Sequence, residues 1–161
     1  MERILDWNKY LDTAAKMVSE GIVMLKNDNN ALPLDIDKEV AVFGRIQFHY
    51  YKSGTGSGGM VNVTKVVNIL DGLIDNGVKV NEKLLDTYRK WDKENPFDLG
   101  EGWGGEPWSQ KEMPLDEGLV KETAKSCETA IVIIGRTAGE EQDNRLSLIH
   151  ISEPTRPISI S

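Results

Sequence analysis

One cysteine, Cys127, stands in the 161 residues, so no internal disulfide can form. No apolar run approaches the roughly 20 residues that a membrane-spanning helix needs. The first seven residues, Met1-Glu-Arg-Ile-Leu-Asp-Trp7, carry neither a cationic start nor an apolar signal core. Together these absences fit a reducing, cytoplasmic setting. Lysines and arginines are not clustered, and the net charge is −7. That balance argues against nucleic acid and anionic membrane as partners. The two histidines, His49 and His150, have no companions at metal-ligand spacing, so neither a metal nor another cofactor is expected. There is no Gly-Lys-Ser/Thr step, which removes a Walker-type phosphate loop.

What is present suits one globular domain: 39% of residues are hydrophobic. Leu11, Ala14, Ala15, Val18 and Ile22 recur at helical spacing and predict a helix over 10–20, ended by Gly21. Ile22 to Leu25 reads as a short strand or extended run. Glu39-Val-Ala-Val-Phe-Gly44 reads as a buried strand closed by glycine. Val63, Val66, Val67, Leu70, Leu73 and Ile74 predict a helix with Asn62 as cap and Gly77 as stop. Val78 to Val80 is a short strand. Leu84, Leu85, Tyr88 and Trp91 mark a helix capped by Asn81. Residues 95–114 hold glycines and prolines without periodicity, and a connection of that length is usually functional or disordered. Leu115, Leu119, Val120, Thr123, Ala124 and Cys127 predict a last helix leading into a strand over 131–135. Cys127 lies on the apolar face of that helix and is expected in the core. Alternating helices and strands imply an α/β fold: a three-layer sandwich around a mostly parallel sheet.

Two segments carry chemistry. The first is the glycine loop Ser53-Gly-Thr-Gly-Ser-Gly-Gly59. Gly54, Gly56 and Gly59 satisfy G-x-G-x-x-G, and Glu82 follows the next strand where a ribose-binding acid would sit. In a dinucleotide site, however, the first glycine closes the strand. Here Arg45 to Ser53 intervene between Gly44 and Gly54. A surface loop, or a hairpin offering backbone N–H groups and the Ser57 hydroxyl to a polyhydroxylated ligand, are the other readings. The second segment is Ile131-Val-Ile-Ile-Gly135 and the polar turn after it, with Glu140, Glu141 and Asp143. Open α/β sheets present their chemistry from strand C-terminal ends in this way. On spacing alone, Glu140 reads sooner as a solvated turn carboxylate than as a catalytic one. Trp103 and Trp108 flank Gly104 to Pro107 and either stack on a sugar or anchor the loop. Arg45 and Arg136 each follow a strand-ending glycine, to orient carboxylates or as surface charges.

In order, Ser19-Glu-Gly-Ile-Val-Met-Leu-Lys-Asn27, Asn30-Ala-Leu-Pro-Leu34, Val40 to Gly44, Gly54 to Gly58 and Ile131 to Asp143 resemble the landmarks of one family. They resemble the α/β sandwich domain of glycoside hydrolase family 3, over most of residues 1–144. The resemblance implies β-glucosidase-type hydrolysis with retention, on a β-linked glucoside or short oligosaccharide. It implies an aspartate nucleophile on a separate (β/α)8 barrel, absent from this chain. Glu140 falls at the general acid/base position and Ser57 and Gly58 at the sugar-touching loop; Trp103, with the two readings given above, is kept as a further candidate sugar contact. Glu141 stands where the family has glycine and Asn144 where it has arginine, so Glu140 and Glu141 both remain candidates. A retaining pair of carboxylates sits about 5–5.5 Å apart, and its acid must stay protonated near neutral pH. The alternatives are a non-catalytic carbohydrate-binding or scaffold module, and a nucleotide-binding domain.

The sandwich resemblance begins close to Met1, which predicts a reversed domain order with the barrel downstream. Residues 146–161, Leu146 to Ser161, resemble a translated sequencing adapter. The expected organisation is therefore a partial sandwich over 1–145 and a non-native tail over 146–161. The strand over 131–135 is expected to expose one flank.

Overall fold

The computed structural model describes residues 5–51, 55, 57–60, 62–102 and 104–139. It divides into two compact units, Met1–Leu34 and Asp35–Ser161. In the first, helix α1 spans Trp7–Gly21, and the Asp6 carboxylate caps it by accepting the Lys9 N–H at 3.1 Å. The helix predicted over 10–20 is thus present and longer at its start. Residues 22–25 form no strand; they run extended and exposed into a turn at Asp28–Asn30. The Asn27 side chain closes that turn, donating to the Leu32 carbonyl at 2.7 Å and accepting its N–H at 3.0 Å.

The second unit is built on a parallel sheet. Strand β1 (Glu39–Phe43) lies between β2 (Lys79–Val80) and β3 (Thr129–Val132), in the order β2-β1-β3. Val40 pairs with Val80, while Ala41, Val42 and Phe43 pair with Ala130, Ile131 and Val132. A central parallel strand needs apolar residues on both faces, and Val40, Ala41 and Val42 are all buried. Successive side chains point to opposite faces, which separates two cores. Val40 and Val42 pack with Leu70, Val80 and Leu85. Ala41 packs with Leu84, Tyr88, Met113 and Cys127.

Helix α3 (Glu82–Glu94) serves both cores and starts where Asn81 accepts the Leu84 N–H at 2.9 Å. Its neighbours Leu84 and Leu85 are fully buried, each worth roughly 1.5–3 kcal/mol in removed apolar surface. Helix α4 (Glu117–Ser126) is capped by Asp116, so Leu115 stands outside it, and Cys127 is buried at its end.

Two larger boundary differences from the sequence reading remain. Helix α2 covers only Ile69–Asp75, capped by Asn68 rather than Asn62. The Asn68 side chain accepts the Asp71 N–H at 2.7 Å and donates to the Phe48 carbonyl at 3.3 Å. That tether fixes where the helix begins. Val63, Val66 and Val67 have helical spacing but precede it, and β-branched residues give a helix little help. Gly77, at φ 79°, does stop the segment. Strand β3 is the second: it covers Thr129–Val132 instead of 131–135, because its partner β1 ends at Phe43.

Candidate functional site

The site is assembled where β1 and β3 end. Gly44 turns the chain away at φ 105°, and a Cβ there would overlap the Ile133 carbonyl oxygen. Only glycine accommodates both demands. Its N–H donates to the Tyr88 hydroxyl at 3.0 Å. Burial pushes the Tyr88 pKa up from its ordinary value, against the opposing effect of that hydrogen bond.

Arg45 follows, only 1% exposed. It is not a surface charge. Its guanidinium meets the Asp92 carboxylate at 2.7 Å and donates to the carbonyls of Asn95 at 2.5 Å and Lys111 at 3.1 Å. It also lies 4.9 Å from the Trp91 ring centre and 5.6 Å from that of Phe97. A buried cation is tolerable only when paired; the terminal nitrogens of Arg45 are, while its buried Nε has no hydrogen-bond partner among the described residues. Its backbone N–H donates to Glu112 at 2.9 Å. Asp92 also holds His49, whose Nε2 lies 2.8 Å from the second carboxylate oxygen. Sequence reasoning missed Asp92. The available signal was its position four residues after buried Tyr88, on the same face of α3.

These bonds fasten residues 95–114 across the end of the sheet. The described residues of this loop form no helix or strand of their own. Gln110 ties it internally, accepting the Asp98 N–H at 2.9 Å and donating to its carbonyl at 2.7 Å. The Thr137 N–H donates to the Trp108 carbonyl at 3.0 Å, so the Trp108 backbone joins the loop to the β3 exit. Trp103 lies outside the described residues.

The glycine loop reaches the same place. Thr55 and Gly139 form a parallel bridge, with the Thr55 N–H donating to the Ala138 carbonyl at 3.0 Å. A Cβ on Gly139 would overlap the Thr55 hydroxyl oxygen, so the two backbones approach this closely only because the residue is glycine. Ser57 opens a turn over Ser57–Met60 that also contains Gly58, and Ser57 is exposed. Glu140, Glu141, Asp143 and Asn144 lie outside the described residues, immediately beyond Gly139. Among the described residues no α-helix opens at this loop, as a dinucleotide fingerprint requires; α2 starts at Ile69.

Beside the turn stands an aromatic cluster. The Phe97 ring centre is 4.7 Å from His49 and 5.9 Å from Tyr51. Burial raises the Tyr51 pKa, the neighbouring Gln110 opposes it, and the charge of Glu106 adds to the rise. The Gln110 amide is committed to Asp98, and the buried Tyr51 hydroxyl gains no well-aligned partner among the described residues. No group of three or more His, Cys, Asp or Glu among the described residues is arranged to hold a metal ion. None of the described helices is long and apolar enough to cross a membrane.

Residues 22–153 match the family model for the glycosyl hydrolase family 3 C-terminal domain. A β-glucosidase of Ruminococcus albus is 64% identical over 140 residues, which cover 87% of this chain and 15% of that enzyme. β-Glucosidase A of Butyrivibrio fibrisolvens is 32% identical over 91% of the chain and 17% of its own length. Among solved structures, a β-glucosidase from Paenibacillus barengoltzii superimposes with a TM-score of 0.79 at 51% identity, covering 89% of this chain and 15% of that one. β-Glucosidase 3B from Thermotoga neapolitana in complex with glucose gives 0.73 at 29% identity, over 87% of this chain and 19% of that one. The chain thus spans about a sixth of the curated enzymes it matches.

Proposed function

Because the chain belongs to the glycosyl hydrolase family 3 C-terminal domain family, we propose that it supplies the general acid/base and part of the sugar pocket of a retaining β-glucosidase. Its substrate is a β-linked glucoside or short oligosaccharide, and the nucleophile comes from a (β/α)8 barrel. Glu140 is the acid that protonates the departing oxygen. Ser57 and Gly58 meet the sugar through the hydroxyl and the backbone, and Trp103 adds a stacking face. The enzyme is bacterial and cytoplasmic, acts in carbohydrate metabolism, and needs no cofactor, nucleic acid or membrane.

One observation carries this reading. The Thr55–Gly139 bridge ties the glycine loop to the backbone one residue before Glu140. A group that touches the sugar and a group that protonates its leaving oxygen must stand within one ring's reach. The bridge brings their two segments side by side. The sequence supports the role as well: Glu141 follows Glu140 directly and Asp143 stands three residues on, and neighbouring anions raise a carboxyl pKa toward the range an acid catalyst needs.

The test has two halves. The chain alone should turn over no aryl β-glucoside. Joined to its barrel, it should hydrolyse one, and Glu140→Gln should cost about 10²–10⁴-fold in rate. Azide or a good leaving group should restore part of that loss. Full activity of the Glu140→Gln enzyme, or Glu140-dependent turnover by the chain alone, overturns the assignment.

We assign residues 1–145 to the sandwich and 146–161 to an adapter-derived tail. The family match runs to residue 153, into that tail. Sequencing the source DNA across the codons for 144–161 decides the matter. A different continuation supports the tail, and an unchanged one overturns it.

A further inference from the structure

Arg45 and His49 share one carboxylate. Asp92 of α3 offers Oδ1 to the Arg45 guanidinium at 2.7 Å and Oδ2 to His49 Nε2 at 2.8 Å. Burial demands the first bond, because the charge of Arg45 must be met. Nothing of the kind demands the second, because the His49 side chain is 38% exposed and could turn to water. Its ring is nonetheless held by Asp92 and by two neighbours, with ring centres 4.7 Å from Phe97 and 6.4 Å from Phe48. A carboxylate paired with arginine only accepts, so the His49 Nε2 carries the proton that it donates. What this bond holds is the entry to the glycine loop. Gln47 donates to the Gly44 carbonyl at 2.9 Å and Asn68 to the Phe48 carbonyl at 3.3 Å, which braces the chain as far as His49. Tyr50 and Tyr51 follow, and the chain is caught again at Thr55 by its bridge to Gly139. The turn over Ser57–Met60 comes directly after. Glycines give a loop little conformational preference of their own, so its pose is set by its anchors.

We propose that His49 is a positioning residue for the turn that carries Ser57. Through its Nε2–H bond to Asp92 it fixes the segment leading into the glycine loop, so that the turn is in place before the sugar arrives. The proposal rests on the hydrolase reading for the identity of the ligand as a sugar. The role asks for no contact with the reacting atoms. It passes along the backbone to a hydroxyl that meets the sugar before and during the reaction alike. Loosening such an anchor weakens uniform binding, which raises KM and leaves kcat alone. An anchored turn also loses less entropy when the ligand binds.

Asp92 is the wrong residue to replace, since its loss would strip buried Arg45 of its ion pair and threaten the fold. His49 can be replaced more safely because its side chain is partly exposed. In the enzyme joined to its barrel, His49→Ala should raise KM for an aryl β-glucoside about tenfold, the effect of one lost hydrogen bond to a charged group, with kcat unchanged. His49→Gln should restore KM, because its amide nitrogen reaches the position of Nε2 and donates to Asp92 in the same way. His49→Asn is too short to do so and should behave like His49→Ala. Long-range ¹⁵N NMR of the chain at alkaline pH supplies a second readout. The His49 ring, identified by the signal that His49→Gln removes, should carry its proton on Nε2. A proton on Nδ1 instead overturns the proposal. So does an unchanged KM in His49→Ala, a fall in kcat alone, or a raised KM that His49→Gln fails to restore. The hydrolase reading fails separately. No turnover by the joined enzyme would sink that reading and the positioning role with it, whereas turnover with a KM indifferent to His49 would sink only the positioning role.

Discussion

Tyr88 shows how one side chain joins the fold to the site. Its ring fills the core beneath Ala41, Leu84 and Cys127, and its hydroxyl accepts the N–H of Gly44, where β1 turns toward Arg45. Removing the hydroxyl leaves that buried N–H without a partner, at a cost of about 1–3 kcal/mol. Tyr88→Phe should therefore lower the melting temperature at neutral pH. The hydroxyl also sets an alkaline limit. Burial raises its pKa above the ordinary value of 10.0, so the folded state favours the neutral phenol. Stability from this source is fully present below about pH 10 and is lost as pH rises through the folded value. Tyr51 shifts in the same direction and adds to the loss. Melting curves between pH 8 and 11 should fall steeply at the upper end for the native sequence and less steeply for Tyr88→Phe. An identical slope in the two proteins would show that Tyr88 does not govern the alkaline limb.

At the scale of elements, what could be read depended on whether the cause was local. Strand β1 was legible because Val40 to Phe43 is an apolar run ended by glycine, and helix α3 because Asn81 precedes an apolar period. Both signals reside in the residues that form the element. Helix α2 was misread because its start is decided by the Asn68 bond to the Phe48 carbonyl, twenty positions away in sequence. Strand β3 was shifted because its end is inherited from β1. The site divides along the same line. The glycine loop and the turn after β3 stand out in sequence, but their bridge at Thr55 and Gly139 spans most of the unit and leaves no local trace. The buried state of Arg45 was equally hidden. It depends on Asp92, Asn95 and Lys111 converging from α3 and the long loop. An arginine after a strand-ending glycine looks the same whether it meets water or a carboxylate. Glu140 and Trp103, named from sequence, fall outside the described residues.

At the scale of the whole chain, apolar surface is left over. Helix α1 buries none of its residues, although Trp7, Leu11, Met17 and Val18 lie along it. On the sheet, β3 is an edge strand among the described residues, with Val132 67% exposed and Ile134, just past its end, 77% exposed. Parallel sheets are normally covered on both faces and along their length. An uncovered edge carrying branched aliphatic side chains is a template for another strand. The chain spans about a sixth of its curated relatives, so those enzymes hold much more polypeptide with which to cover such surfaces. For the chain by itself, the expectation is association. Sedimentation velocity should show a weight-average mass that grows with protein concentration. Replacing Val132 and Ile134 together by lysine should reduce that growth, because a charged edge resists strand pairing. The substitutions sit on exposed positions, so the two cores packed on β1 should survive them and the melting temperature should stay close to native. A single monomeric boundary at every concentration would mean that the edge is already protected. Growth that the lysines leave untouched would move the sticky surface to α1 and the 22–25 run.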